Sequence, residues 1–236
     1  MKTLKERHDE VKNHMAEAAR VSGRRVEDIT LLAVTKTWPA ETVRSGYQLG
    51  IRHFGENYVQ ESLAKMDELT DLEKVSWHMI GHLQSNKVKS LVGRFDLIHS
   101  VDRLSLAQEI SKRTDQDEKT KEPQKILIEV NIANEPSKSG VHVDGLPAFL
   151  EEVQKLKWVT ICGLMVMPPL DATSEEAKRY FDLIRDERDR LLSRLSAPHS
   201  LVELSMGTSH DYKEAIEAGA TIVRLGTVLF GERVKN

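Results

Sequence analysis

The sequence predicts an α/β fold: a single (β/α)8 TIM barrel with an extra N-terminal helix, one domain over 1–236. Three observations predict it. Eight short apolar runs recur along the chain, each followed by a segment with helical spacing. The length of 236 residues suits one such barrel. No shift of composition marks a second domain.

The opening helix is read over 3–20, where Leu4, Val11, Met15, Ala18 and Ala19 recur at helical spacing. TLLAVTK at 30–36 is the first strand, and Pro39 is placed to open its helix. IRHFGE at 51–56 is the second, with a helix over 57–69. VSWHMIGH at 75–82 is the third, with a helix over 83–92. FDLIHSV at 95–101 is the fourth, with a helix after Asp102. The charged stretch 112–125 reads as a fraying helix end and a solvated loop. KILIEVNI at 125–132 is the fifth strand, followed by a helix over 146–156. WVTICGLMVM at 158–167 is the sixth; Pro168 and Pro169 break it before a long amphipathic helix over 174–195. LVELSMG at 201–207 is the seventh, with a short helix from Asp211 closed by Gly219. TIVRLG at 221–226 is the eighth, and 227–236 forms the tail. An open doubly wound sheet accommodates the same strands but predicts no closure between the first and the last.

A net charge of −3 gives no basic excess for nucleic acid. The charged start has neither the apolar core of a signal peptide nor the length of an apolar span, so no membrane is expected. The lone cysteine, Cys162, allows no internal disulfide and fits a reducing cytoplasm.

In a barrel the site lies at the carboxyl ends of the strands. There the sequence places Lys36, Glu56, Asn57, Gly81, His82, Asn131, SMGTS at 205–209, Arg224, Gly226 and Thr227. The seventh strand runs through small residues into a helix, with Thr208 and Asp211 at capping-box spacing. Gly207 permits close approach of an anion, and barrels often hold phosphate at the turns after strands seven and eight. A plain helix cap explains the serine turn equally well. Lys36 is either a solvent-reaching terminator or a partly desolvated amine able to form a Schiff base. An aldehyde that also bears a phosphate would need Lys36 at one end and these two turns at the other; they converge only if the barrel closes. His78 and His82 lack a third ligand, and no metal is expected.

Seven motifs then carry a resemblance. AVTK at 33–36, FGENYVQE at 54–61, WHMIGHLQSNK at 77–87, SKSGV at 137–141, GLMVM at 163–167, SMGTSHDY at 205–212 and VRLGTVLFG at 223–231 resemble the pyridoxal phosphate homeostasis proteins, the YggS/PROSC-type PLP-binding barrels. The resemblance implies a barrel similar to the alanine racemase N-terminal domain. It implies pyridoxal 5'-phosphate (PLP) held as a Schiff base on Lys36, and a role in vitamin B6 homeostasis. Ser205, Gly207, Ser209, Gly226 and Thr227 match the family's phosphate-cradling segments, and Arg224 the arginine facing the pyridine nitrogen. Asn57 and His82 fall in motifs near the cofactor, and Met165 either packs near the ring or is a buried strand methionine. Thr208 departs from the pattern, which has methionine there; a backbone contact to phosphate tolerates the change.

An arginine at the pyridine nitrogen favours an unprotonated ring, a weak electron sink. A racemase on this fold also needs a second base, resembling a tyrosine from a partner subunit. Tyr47, Tyr58 and Tyr180 fall in predicted helices and Tyr212 begins one, and the chain ends soon after the eighth strand. A non-enzymatic carrier is therefore expected, with a PLP-dependent racemase-like enzyme as the alternative. Release would occur by transimination. Lys138 is either a second amine at the mouth or a surface lysine. The expected partners are PLP and PLP-dependent apo-enzymes, and the expected state is a monomer.

Overall fold

The computed structural model describes residues 2–136 and 138–232. Its strands are β1 (Thr30–Val34), β2 (His53–Glu56), β3 (Ser76–Met79), β4 (Leu97–Val101), β5 (Gln124–Asn131), β6 (Val141–His142), β7 (Val159–Val166), β8 (Glu203–Ser205) and β9 (Ile222–Leu225). All recorded pairings are parallel. The sheet order is β4-β3-β2-β1-β9-β8-β7-β5-β6, and β4 also pairs β5. That second pairing closes a ring of eight strands, with β6 as an appendage beside β5. The closed TIM barrel is thus the architecture, not the open sheet. The β1–β9 register sets Leu32 against Arg224 and Ala33 against Leu225. The ends of the chain's first and last strands therefore open onto one space.

The helices are α1 (Leu4–Val21), α2 (Ala40–Gln48), α3 (Val59–Glu68), α4 (Val88–Leu91), α5 (Leu104–Gln116), α6 (Leu146–Val153), α7 (Ser174–Leu191), α8 (Tyr212–Glu217) and α9 (Thr227–Phe230). The extra helix α1 is stopped at its start by a capping box between Thr3 and Glu6. Its buried face of Val11, Met15, Ala18 and Ala19 packs on α8 and α9. Arg24 reaches across to the carbonyl of Ala220 at 2.8 Å. Among the described residues no helix is long and apolar enough to cross a membrane.

Some elements are shorter than the sequence predicts. The third strand stops at Met79, not His82, and its helix shrinks to one 3-10 turn followed by α4. The cause is at Gly81. A Cβ there would lie 2.3 Å from the Asn57 carbonyl oxygen, so the chain leaves the ladder to pass the backbone after β2. The two-residue β6 was not expected; too short for any periodicity, it is held by Asn131 and by its register with β5.

Two apolar layers result. The larger lies between barrel and helices. The smaller fills the barrel axis with Leu32, Leu97, Leu127, Met165 and Ile222. Beyond this plug, toward the carboxyl ends, the interior turns polar.

Candidate functional site

A cavity of about 540 Å³ opens at the carboxyl end of the barrel. Lys36 enters it just beyond β1, and Asn57 just beyond β2. Asn57 Oδ1 is buried and has no hydrogen-bond partner among the described residues. His82 and Lys138 stand on the wall, Glu129 projects from β5, and Arg224 from β9. Thr208, Ser209, Gly226 and Thr227 complete the lining.

Of the residues singled out in the sequence, Lys36, Asn57, His82, Ser209, Arg224, Gly226 and Thr227 are thus brought to one cavity. Met165, Ser205 and Gly207 are not among its lining residues. Met165 belongs to the apolar plug beneath. Ser205 is fully buried and bonded to Arg224 and His99. Gly207 has φ +89, and a Cβ there would lie 2.6 Å from the Ala215 Cβ; its bareness lets the turn pack on α8. Thr208 donates through N and Oγ1 to Asp211 Oδ1 at 2.6 and 2.9 Å. Asp211, not Thr208, is the N-cap of α8, so the capping-box spacing closes the turn before the helix.

The loop carrying Lys36 is clamped from behind. Lys65 Nζ donates to the Thr35 carbonyl at 2.8 Å and to Glu56 Oε1 at 2.6 Å. The Thr35 hydroxyl donates to the same Glu56 oxygen at 2.7 Å. Glu61 Oε1 accepts from Lys65 Nζ and from the Thr37 amide, whose residue sits at φ 61. Burial pushes the Glu56 carboxyl up, against the pull of Lys65. Because this cluster fixes both flanks of Lys36, it sets where the amine enters the cavity.

At the turns after β8 and β9, the latter paired with β1, two backbone donors converge. The amides of Gly226 and Val228 both donate to Ser209 Oγ, at 3.3 and 3.2 Å. Such a focus of N–H groups at the entry to α9 suits one oxygen of an anion.

Arg224 is 4% exposed. It donates to the Ser205 carbonyl and hydroxyl oxygens at 2.7 and 2.8 Å and to the Val166 carbonyl at 3.0 Å. Among the described residues no carboxylate pairs with it within 4.0 Å. Burial lowers its pKa to about 10, partly opposed by Asp211 and Glu129. A cation so held, facing a cavity, favours a ligand atom that accepts without being protonated. Glu129 is raised to about 7 by burial and by Asp102, against the pull of Arg224.

Sequence reasoning named Asn131 and Lys138 but missed Glu129 in the lining. Glu129 was readable as a charge inside an apolar strand, two residues before Asn131 and so on the same face. Asn131 shapes the wall by bonding the Glu135 carbonyl at 2.8 Å and the Lys138 carbonyl at 3.1 Å. Lys138 Nζ is paired with Glu135 Oε1 at 2.7 Å and reaches the Pro168 carbonyl at 3.3 Å. Ser137, first residue of the SKSGV motif, lies outside the described residues, as do 233–236 of the tail. Tyr58 is the N-cap of α3 rather than a helical residue, and no tyrosine is among the cavity's described lining residues.

The donor set fits PLP. Lys36 brings an amine to the cavity for the aldehyde, the turns after β8 and β9 bring converging amides for the phosphate, and Arg224 a fixed guanidinium for the ring nitrogen. The orphaned Asn57 Oδ1 leaves one buried acceptor for a donor of the ligand.

Comparison with known proteins agrees with this chemistry. The family described as "Alanine racemase, N-terminal domain" matches residues 9–234. The pyridoxal phosphate homeostasis protein of Aquifex aeolicus is 44% identical over 228 residues, covering 97% of each chain. The structure of PipY from Synechococcus elongatus, solved with PLP bound, superposes with a TM-score of 0.80 at 40% identity, over 92% of this chain and 100% of that one. Alanine racemase from Clostridium difficile shares the fold alone: 15% identity and a TM-score of 0.67, over 95% of this chain and 56% of that one. The chain belongs to the pyridoxal phosphate homeostasis protein family, within the wider family of the alanine racemase N-terminal domain.

Proposed function

We propose that this protein, as one domain over 1–236, holds PLP in the barrel cavity and takes part in intracellular PLP homeostasis. The observation that carries the reading is the placement of Lys36, Arg224, Ser209 and Gly226 around one cavity of about 540 Å³, with the Gly226 and Val228 amides converging on Ser209. PLP supplies an aldehyde, and Lys36 supplies the amine that condenses with it, losing water to form a Schiff base. The phosphate lies against Thr208, Ser209, Gly226 and Thr227. Arg224 faces the pyridine nitrogen, and Asn57 and His82 border the ring. Met165 and Ser205 contribute from beneath, the first by packing and the second through Arg224.

Release follows from the same chemistry. An incoming amine would replace Lys36 at the aldehyde carbon, the two hydrogens lost by the incoming nitrogen returning to the Lys36 nitrogen, so that PLP leaves joined to the acceptor and Lys36 is an amine again. Suitable acceptors are the active-site lysines of PLP-dependent apo-enzymes. We place the protein in the cytoplasm as a monomer, without catalytic turnover. One observation favours the racemase-like alternative: Glu129, with a pKa of about 7, is a cavity group able to hold or give a proton.

The test is the visible spectrum of purified protein before and after borohydride, with peptide mass mapping. The expected result is a yellow protein with a reduced adduct on Lys36, and none in Lys36→Ala. A colourless protein after saturation with PLP overturns the reading. Exchange of a substrate α-hydrogen with deuterated solvent, faster than with free PLP, would favour the enzyme.

A further inference from the structure

Beneath the cavity a line of hydrogen bonds crosses the barrel interior. Arg224 Nη1 donates to Ser205 Oγ at 2.8 Å. Ser205 Oγ lies 2.9 Å from His99 Nδ1. His99 Nε2 lies 2.9 Å from His78 Nδ1. His78 Nε2 is 3.2 Å from His53 Nδ1 and 3.1 Å from Ser76 Oγ. Ser205 and His99 are fully buried and His78 is 4% exposed.

The direction of the line follows from its first member. A guanidinium can only donate, so Ser205 Oγ accepts from Arg224. The Ser205 hydroxyl hydrogen then needs an acceptor, and His99 Nδ1 is the one in contact. That choice puts the His99 proton on Nε2, where it is donated to His78 Nδ1, and so the His78 proton on Nε2 as well. The reverse polarity would aim two donors at Ser205 Oγ and leave its own hydrogen buried without an acceptor, an arrangement native interiors avoid. Burial also keeps both rings neutral: His78 falls to about 3, and His99 lies well below its ordinary value.

We propose that His99, braced by His78, is a positioning residue for Arg224: by accepting the Ser205 proton it turns the serine lone pairs to the guanidinium and holds its remaining N–H groups toward the cavity. The ligand in that cavity is PLP only if the preceding functional reading holds, but the alignment is made by protein atoms alone. The line gives Ser205 and His78 a use that neither phosphate contact nor metal binding supplies.

The test begins with ligand-free wild-type protein labelled with ¹⁵N-histidine and ¹⁵N-arginine. At pH 7 both His78 and His99 should be neutral with the proton on Nε2, and the Arg224 side-chain N–H signals should exchange slowly. A His99 ring protonated on Nδ1, or charged, overturns the proposal. In His99→Leu the Arg224 N–H signals should lose their protection, and PLP should bind about tenfold more weakly, the scale of one hydrogen bond. His99→Asn, which keeps an acceptor near the Nδ1 position, should restore most of both. Equal loss in the two variants, or loss in neither, also overturns it. Failure of wild-type protein to take up PLP would sink the functional reading alone, because the tautomers and the Arg224 signals are read without ligand.

Discussion

Lys65 Nζ lies 2.6 Å from Glu56 Oε1 in a buried ion pair, with the lysine 4% and the carboxylate 0% exposed. This pair stands directly behind Lys36, since both partners also bind Thr35. Its desolvation is costly, and Glu56 Oε2 has no hydrogen-bond partner among the described residues. The pair is therefore better explained by where it fixes the Thr35–Thr37 loop than by net stability. Removing one partner strands the other. Lys65→Met should destabilise the fold by about 3–5 kcal/mol in urea unfolding. The double change Lys65→Met with Glu56→Leu should recover much of that loss. Borohydride labelling of Lys36 should stay slow in the recovered double variant, because the loop is no longer held. Wild-type labelling there would mean that the pair serves stability alone.

Gly207 and Gly81 place the cavity walls by lacking a side chain. At Gly207 both the φ of +89 and the 2.6 Å approach to Ala215 forbid a Cβ. Gly207→Ala should cost about 1–3 kcal/mol, from left-handed strain and overpacking. Gly81→Ala meets backbone rather than a movable side chain, at 2.3 Å from the Asn57 oxygen. It should displace Asn57 and weaken PLP binding even in variants that remain folded, as read by equilibrium titration.

Much of this was legible because barrels announce themselves by repetition. Eight apolar runs with helices between them needed only a closure, and the Leu32–Arg224 register supplies it. Lys36 and Arg224 could be named because the first and last strands carry them toward the carboxyl end, where a barrel keeps its site, and because both fall in motifs that resemble the family's. Ser205 shows where this reasoning stops. Its motif pointed at phosphate, yet its hydroxyl lies one layer deeper, because alternation gives the face of a strand but not the depth along it. His99 is similar: in LIHSV it reads as a tolerated polar residue, and only the neighbouring strands bring it to His78 and Ser205. Lys65 was hidden for another reason. A lysine within a helix of charged residues looks solvated until the helix is docked on the loop it clamps.

Ser209 offers a direct test of the phosphate end. Its hydroxyl accepts the Gly226 and Val228 amide hydrogens. Accepting them leaves its own hydrogen to be donated, and a phosphate oxygen held there would accept it. A hydrogen bond to a charged group contributes about 1.5–3 kcal/mol, so Ser209→Ala should weaken PLP by roughly tenfold to a hundredfold. Pyridoxal, lacking the phosphate, should be unaffected. Equal loss for both ligands, in parallel isothermal titrations, would move the phosphate elsewhere.

Glu129 should make stability depend on pH with an unusual sign. Its ordinary value is 4.5, and burial in the cavity wall lifts it to about 7 in the folded protein. The folded state therefore binds more protons than the unfolded chain between these values, and the contribution of this group falls as pH rises through that window. Below about 4.5 both states are protonated and the penalty vanishes; above about 7 it is fully present. Glu129→Gln removes the titration while keeping the shape. It should be more stable than wild type at pH 8 by about 1–3 kcal/mol, with the difference shrinking toward pH 4.5. Urea unfolding of both proteins across that range measures it, and a constant difference would mean that Glu129 titrates normally. If the carboxylate also steadies the Arg224 cation, PLP affinity in Glu129→Gln should change above pH 7 and match wild type below pH 5.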